Sequence, residues 1–576
     1  MESLILERAN KWLDERFDQT TRAQVRDMID HHPQELTDAF YRNLEFGTGG
    51  LRGLMGAGTN RMNKYTVGMA TQGLANYLKA MFPSAHPAKV AVAYDSRNNS
   101  SFFARITAEV FAANGFMVYL FEELRPTPEL SFAIRHLKCQ SGVMITASHN
   151  PKEYNGYKAY WDDGAQMIAP HDKNVITEVN KITSIDQVSW EGNAENIILT
   201  GREIDDAYTA KILALSLSPE AIRHQKNLKI VYTSLHGTGR TLVPEVLRRY
   251  GFENISLVEE QMIADGNFPT VHSPNPEEHE ALSLAIRKAE STGADLVMAT
   301  DPDADRVGIA VRDHHHKMIL LNGNQTAALL FYYILTRWKE MKKLEGKEYI
   351  VKTIVTSELL RDIAVSFGVA YFDVLTGFKF IADIILRNEG KKTFIVGGEE
   401  SYGYLTGDFV RDKDAVSACA MIAETAAWTA EQGKTLFDLL LDIYQKYSFY
   451  KESLLSITLK GKSGAEEISQ MMIGYRENPP ESINQSRVRE IIDYQTGIRK
   501  NILTGAEHTV DLPKSNVLQF LLEDGSKISV RPSGTEPKIK FYFGVCEKMA
   551  DRSDYERINE LLDEKLSGII RSMKLK

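Results

Sequence analysis

Apolar residues follow two spacings along this chain, and the alternation between them organises it. Leu4, Leu6, Ala9, Trp12 and Leu13 keep roughly helical spacing, and Val25, Met28, Ile29, Leu36, Ala39, Phe40 and Leu44 resume it around Pro33. This predicts a helical cap on the first domain. Short continuous apolar runs then alternate with helical stretches, three times over. In the first block the predicted strands cover Lys89–Tyr94, Phe116–Leu120 and a run ending at Thr146, with helices near 101–113 and 128–137. In the second, strands at Leu228–Tyr232, 254–258 and Asp295–Thr300 flank helices near 240–250 and 278–291. In the third, strands at Tyr349–Val355, 369–374 and Thr393–Val396 flank helices near 357–367 and 378–388. From about Tyr450 the pattern changes to an α+β unit that starts with Ser453–Thr458 and ends in a charged helix near 552–574.

Apolar strands interleaved with helices imply sheets covered on both faces. The expected fold is α/β: three similar mixed α/β domains with doubly covered sheets, then a C-terminal α+β domain. The expected boundaries are 1–205, 206–322, 323–448 and 449–576. A length of 576 residues suits several cores better than one. Each third strand ends at a polar motif, at Ser148, Asp301 and Glu399. Ligands of such sheets bind beyond the carboxyl ends of the strands, so the three motifs suggest one shared cleft.

Composition narrows the field. Hydrophobic content of 43% and charged content of 25% are those of an ordinary globular protein. A net charge of −9 argues against nucleic acid as partner. Cys139, Cys419 and Cys546 lie far apart, which speaks against a disulfide framework or a Cys-based zinc site and fits a reducing compartment. The first residues lack the pattern of a signal peptide. No run of about 18 apolar residues predicts a membrane span. The expectation is a cytoplasmic protein, without a membrane partner.

The chemistry sits in four loops. Thr146-Ala147-Ser148-His149-Asn150-Pro151 follows the apolar run Gly142–Ile145 and delivers a serine to a strand end, where its bland role would be a turn or cap. No Gly-x-Ser-x-Gly elbow occurs, which disfavours a Ser-His-Asp hydrolase. Asp301-Pro302-Asp303-Ala304-Asp305-Arg306 sets three carboxylates at alternate positions; their repulsion is costly unless a cation sits among them. All-oxygen ligation selects Mg²⁺, Mn²⁺ or Ca²⁺, although an Asp-x-Asp after a strand can also carry an aspartyl nucleophile. Gly398-Glu399-Glu400-Ser401 offers a carboxylate and a hydroxyl able to read adjacent sugar hydroxyls. Arg531-Pro532-Ser533-Gly534-Thr535, with Lys538, makes an anion nest. Phe46–Gly53 is glycine-rich but no phosphate loop of the Gly-x-x-x-x-Gly-Lys-Ser/Thr type occurs. His314-His315-His316 reads as a hairpin tip, and Leu235–Gly239 as a loop near the cleft.

These four loops, in this order, resemble the α-D-phosphohexomutase family over about residues 42–546, and within it most closely the phosphoglucomutases. The downstream Tyr154-Asn155-Gly156-Tyr157-Lys158 matches as well. The helical N-terminal extension and Glu45–Gly53 look more like the phosphopentomutase-like branch, which tends to lack the serine found at Ser401.

The resemblance implies a four-domain, heart-shaped architecture with a central cleft. It also implies a phosphomutase, an intramolecular phosphotransferase, interconverting glucose 1-phosphate and glucose 6-phosphate through a phosphoserine and glucose 1,6-bisphosphate. Ser148, His149, Lys158 and Lys379 are the implied catalytic residues. Mg²⁺, one per active site, is implied on Ser148, Asp301, Asp303 and Asp305. Substrate contacts are implied for Thr48, Arg52, His149, Lys158, Arg306, Thr376, Gly377, Glu399, Ser401, Lys413, Arg531, Ser533, Gly534 and Thr535. Glucose 1,6-bisphosphate is the implied activator, sugar phosphates the implied partners, and the chain a monomer or homodimer. Phosphomannomutase or phosphopentomutase activity, or a metal-dependent sugar-phosphate phosphatase, are the alternatives.

Overall fold

The computed structural model describes residues 2–47, 49–459, 461–533 and 538–575. The chain forms two compact units, Met1–Asn322 with Ala382–Gly390 and Ser401–Glu431, and Gly323–Ile381 with Lys391–Glu400 and Gln432–Lys576.

In the first unit the helices Glu2–Lys11, Gln19–His31 and Pro33–Phe40 bear out the predicted cap. Trp12 packs on Phe17, Phe40 and Tyr65, so the aromatic floor is shared with the helix Lys64–Met81. That helix starts in a capping box. Asn63 Oδ1 accepts from Tyr65 N and Thr66 N, and Thr66 Oγ1 accepts from Asn63 N. The Tyr65 hydroxyl donates to Asp18 at 2.9 Å, tying the cap's second helix to the domain.

The first sheet has six strands, in the order Leu51–Leu54, Tyr154–Trp161, Ser141–Ile145, Lys89–Tyr94, Met117–Phe121 and Ile197–Thr200. Lys89–Tyr94 runs parallel to both of its neighbours, as the β/α pattern requires. The pair Leu51–Leu54 and Tyr154–Trp161 is antiparallel, and Tyr154–Trp161 is antiparallel to Ser141–Ile145. Neither of these two strands is among those that the apolar pattern predicts.

The second sheet has the order Met318–Leu321, Val307–Arg312, Leu296–Thr300, Ile230–Thr233 and Ile255–Leu257. The antiparallel hairpin formed by its first two strands has His314–His316 at its tip, as expected. Every residue of Ser141–Ile145 and Leu296–Thr300 is buried, the mark of strands covered on both faces. The helix Ala415–Glu431 also belongs to this unit and packs on Gly239–Tyr250.

In the second unit, Glu348–Thr353 pairs in parallel with Ala370–Val374 and Thr393–Glu399. The C-terminal part is an antiparallel sheet that begins at Phe449–Thr458 and is covered by Tyr555–Ser572. Lys527 Nζ donates to Ile354 O and Thr356 O, and Gln519 Nε2 donates to Ile354 O, so the C-terminal sheet is hydrogen-bonded to the loop that follows Glu348–Thr353. No described helix is long and apolar enough to cross a membrane.

Candidate active site

Two loops of the first unit meet at the carboxyl ends of their strands. One leaves Ser141–Ile145 and carries Ser148, which is 4% exposed and has φ of +53°. The other leaves Leu296–Thr300 and carries Asp301, Asp303 and Asp305, all buried. Ser148 Oγ donates to Asp301 Oδ2 at 2.8 Å and lies 3.1 Å from His149 Nδ1. The acidic loop turns sharply. Ala304 N donates to Asp301 O, while Asp305 N and Arg306 N donate to Asp301 Oδ1 at 3.1 and 3.0 Å. Behind it, Thr238 N donates to Pro302 O, and Gly237 lies so close that a Cβ would sit 2.4 Å from the Pro302 Cα. The loop Leu235–Gly239 is therefore a buttress for the carboxylates.

Lys158 reaches the cluster from Tyr154–Trp161. Its Nζ donates to Asp303 Oδ2 at 2.7 Å and to Asp305 Oδ2 at 3.2 Å. Lys413 Nζ lies 3.2 Å from the same Asp305 oxygen and 3.1 Å from Asp412 Oδ1. Thr127 Oγ1 donates to Asp303 Oδ2 at 2.8 Å. Arg306 Nη1 donates to Glu277 at 2.5 Å.

The electrostatics follow from burying three carboxylates beside two lysines. Burial, then repulsion from Asp303 and Asp305, pushes the Asp301 carboxyl well above the usual range. Burial acts on Asp305 in the same sense, but Lys413, Lys158 and Arg306 overcome it and hold that group below its ordinary value. Burial opposes the Lys158 charge, yet Asp303 and Asp305 raise its pKa. His149 is held well below its usual value by burial and by Arg306 and Arg52, so its ring is neutral.

The donor set fits a hard divalent cation. One oxygen each of Asp301, Asp303 and Asp305 lie within 4.8 Å of one another. Asp303 Oδ1 and Asp305 Oδ1 are buried and accept no hydrogen bond among the described residues. Buried carboxylate oxygens without donors are costly, and a cation with only oxygen ligands would relieve both.

Other residues expected to contact substrate fall as follows. Arg52 is exposed on Leu51–Leu54, in register with Gly156, and its charge acts on His149. Ser401 is half-buried in the first unit. In the second unit, Glu399 Oε1 accepts from Gly377 N at 2.8 Å, next to the half-buried Thr376. Lys379 lies over the Phe380 ring at 5.5 Å. Glu400 turns inward and accepts from Thr353 Oγ1 and Thr356 Oγ1 at 3.0 and 3.1 Å. Arg531 sits on Lys527–Pro532 beside Tyr542. Burial, then Glu400, push that phenol up to about 12 while Arg531 opposes them. Ser533 N donates to Lys538 O at 2.7 Å. Thr48, Gly534 and Thr535 lie outside the described residues.

The structure thus gathers Ser148, His149, Lys158, the three aspartates, Arg306 and Lys413 into one cluster. In the second unit it sets Gly377 on Glu399, and Arg531 beside Tyr542. Sequence reasoning missed Thr127, Asp412 and the pair Asp95 and Arg97. The available signal for that pair was a charged Asp-Ser-Arg step directly after the strand Lys89–Tyr94.

Family models match the chain in four pieces. These are the phosphoglucomutase/phosphomannomutase alpha/beta/alpha domains I, II and III at residues 43–186, 206–314 and 322–447, and the C-terminal domain at 487–560. A phosphoglucomutase of Staphylococcus aureus (strain MRSA252) is 40% identical over 92% of this chain and 94% of its own length. One from Staphylococcus haemolyticus is 38% identical over 88% and 91%. Among solved structures, the Paramecium phosphoprotein pp63/parafusin, a phosphoglucomutase in its open form, superposes with a TM-score of 0.66 at 18% identity. It covers 92% of this chain and 96% of that one, a likeness of fold.

Proposed function

The chain belongs to the phosphoglucomutase/phosphomannomutase family and is a phosphomutase, and from that premise we propose that it interconverts glucose 1-phosphate and glucose 6-phosphate through a phosphorylated Ser148. The observation that carries this reading is the buried contact of Ser148 Oγ with Asp301 Oδ2, beside Lys158 on Asp303 and Asp305.

In the proposed cycle, phosphorylated Ser148 gives its phosphoryl group to the 6-hydroxyl of glucose 1-phosphate. The bisphosphate reorients and returns its other phosphoryl group to Ser148. Asp301, Asp303, Asp305 and the Ser148 oxygen would hold Mg²⁺, which supplies Lewis-acid stabilisation of phosphoryl charge when bound. Lys158 Nζ takes the proton of the reacting hydroxyl and returns it on the reverse transfer. Its burial favours the neutral amine once its carboxylate partners are engaged elsewhere. Neutral His149 and cationic Arg52 and Arg306 orient the phosphoryl group. Glu399 and Ser401 read sugar hydroxyls, Lys379, Lys413, Thr376 and Gly377 line the substrate, and Arg531 with Ser533, Gly534 and Thr535 grips the phosphate not in transfer. Glucose 1,6-bisphosphate is the activator. The protein would work in the cytoplasm on sugar phosphates, as a monomer or homodimer.

The test is a panel of glucose, mannose, glucosamine, ribose and deoxyribose 1-phosphates with Mg²⁺ and trace glucose 1,6-bisphosphate, read by phosphorus NMR. Glucose 1-phosphate should be isomerised fastest, without release of free phosphate. A wide preference for ribose 1-phosphate, or phosphate release exceeding isomer, would overturn the reading.

A further inference from the structure

Ser148 carries a positive φ without being glycine. Such a conformation persists only where the surroundings over-determine it. Here the surroundings are a buried pair, Asp95 and Arg97, just beyond the strand Lys89–Tyr94. Arg97 Nη2 donates to Ser148 O at 2.6 Å and to Asn150 O. Its Nη1 donates to Pro151 O at 2.9 Å and Tyr154 O at 3.1 Å. Its Nε faces Asp95 Oδ2 at 3.4 Å.

Asp95 is engaged as completely. Its Oδ1 accepts from Arg97 N and from Ser100 Oγ, and its Oδ2 accepts from Thr146 Oγ1 at 2.6 Å. Thr146 Oγ1 in turn accepts from Ser148 N at 2.8 Å. The backbone N–H and C=O of Ser148 are therefore both held from one carboxylate, through Thr146 on one side and Arg97 on the other.

The clamp is closed from the domain that carries the aspartates. The turn Asp265–Phe268 places the Phe268 ring 5.0 Å from the Arg97 guanidinium. Gly266 lies against the Arg97–Asn98 backbone, where a Cβ would sit 2.3 Å from Asn98 N. The nucleophile loop and the carboxylate loop are thus registered to each other through these contacts.

We propose that Asp95, Arg97 and Thr146, locked by Phe268, are positioning residues for phosphoryl transfer: they hold Ser148 in its left-handed conformation so that Oγ faces the carboxylate cluster. This rests on the reading of Ser148 as the phosphoryl carrier. Arg97 does not bind the phosphate itself. A guanidinium has five N–H donors in a fixed fork; four go to backbone carbonyls and the fifth is turned to Asp95. A lysine cannot reproduce that span, because its three donors sit on one nitrogen.

The test compares wild-type enzyme with Thr146→Val, Thr146→Ser, Arg97→Lys and Phe268→Leu, all with Mg²⁺. Three readouts are taken: the rate at which Ser148 acquires phosphate from glucose 1,6-bisphosphate, the KM for glucose 1-phosphate, and Tm. Thr146→Val should slow phosphorylation at least ~10-fold through misplacement, with KM within about twofold. Thr146→Ser, which keeps the hydroxyl, should stay within about threefold of wild type, and Arg97→Lys should lose more than Thr146→Val. Should Thr146→Val not fold, Phe268→Leu decides, with an expected slowing of at least ~3-fold. Wild-type rates in Thr146→Val or in Phe268→Leu would overturn the inference, as would equal losses in the Val and Ser variants. If the wild-type protein itself acquires no phosphate on Ser148, the functional reading falls as well; if it does and the variants match it, only the positioning claim falls.

Discussion

Asp303→Asn is the sharpest perturbation of the carboxylate cluster, because an amide of the same shape cannot serve all of its neighbours. Asp303 Oδ2 accepts from Lys158 Nζ at 2.7 Å and from Thr127 Oγ1 at 2.8 Å, while Oδ1 is buried without a donor. If the amide oxygen takes the Oδ2 position, the NH₂ group occupies the place of Oδ1 and cannot ligate a cation. If it is turned over, the NH₂ group faces the Lys158 ammonium, donor against donor. Either way one charge-assisted interaction is lost, about 1.5–3 kcal/mol, or roughly 10- to 150-fold in an equilibrium constant. The half-saturating Mg²⁺ concentration should therefore rise at least ~10-fold, with kcat/KM falling in parallel. The assays are Mg²⁺ titration of activity, isothermal titration with Mg²⁺, and Tm with and without it. An unchanged Mg²⁺ requirement, with a Tm that still rises on adding Mg²⁺ as in wild type, would refute the reasoning.

Two further outcomes follow from other parts of the molecule. Arg531→Ala should lower kcat/KM for glucose 1-phosphate by about 2–4 kcal/mol of transition-state binding while Ser148 still takes phosphate and Mg²⁺ binding is unchanged; steady-state kinetics with phosphopeptide analysis checks it. Glu452, with Oε1 buried and accepting no hydrogen bond among the described residues, is pushed by burial to about 7 from an ordinary 4.5. The folded carboxyl keeps its proton between those values while the unfolded one releases it, so this group lowers stability as pH rises from about 4.5 to 7. Glu452→Gln should then be more stable than wild type at pH 8, on the order of 1–3 kcal/mol, and close to it at pH 4.5; equal Tm differences at both pH values would count against the assignment.

What the sequence disclosed and what it hid have the same physical origin. Strands such as Leu296–Thr300 are buried on both faces, so their apolar runs stand out and the polar residues that end them are conspicuous. The antiparallel strand Tyr154–Trp161 was harder to see because buried polar groups interrupt its pattern. Asn155 donates to Asn98 O and Ser100 Oγ, and Lys158 is spent on the aspartates. Arg97 hid for a related reason: an arginine reads as surface until the carbonyls that surround it are known. The helix Ala415–Glu431 is buried on nearly every side and has no polar face to mark it; its Glu424 caps Leu217 N and Ser218 N. Glu400 belongs visibly to the sugar loop in sequence, yet its carboxylate serves Thr353 and Thr356.

The central claim is that Ser148 carries the phosphoryl group, and peptide mass spectrometry after incubation with glucose 1,6-bisphosphate and Mg²⁺ tests it most directly. The account expects a single acid-stable, hydroxylamine-resistant phosphate on the peptide containing Ser148, discharged by glucose 1-phosphate, and no label or turnover in a folded Ser148→Ala variant. A hydroxylamine-labile phosphate on Asp301 or Asp303, or full mutase turnover by Ser148→Ala, would contradict it.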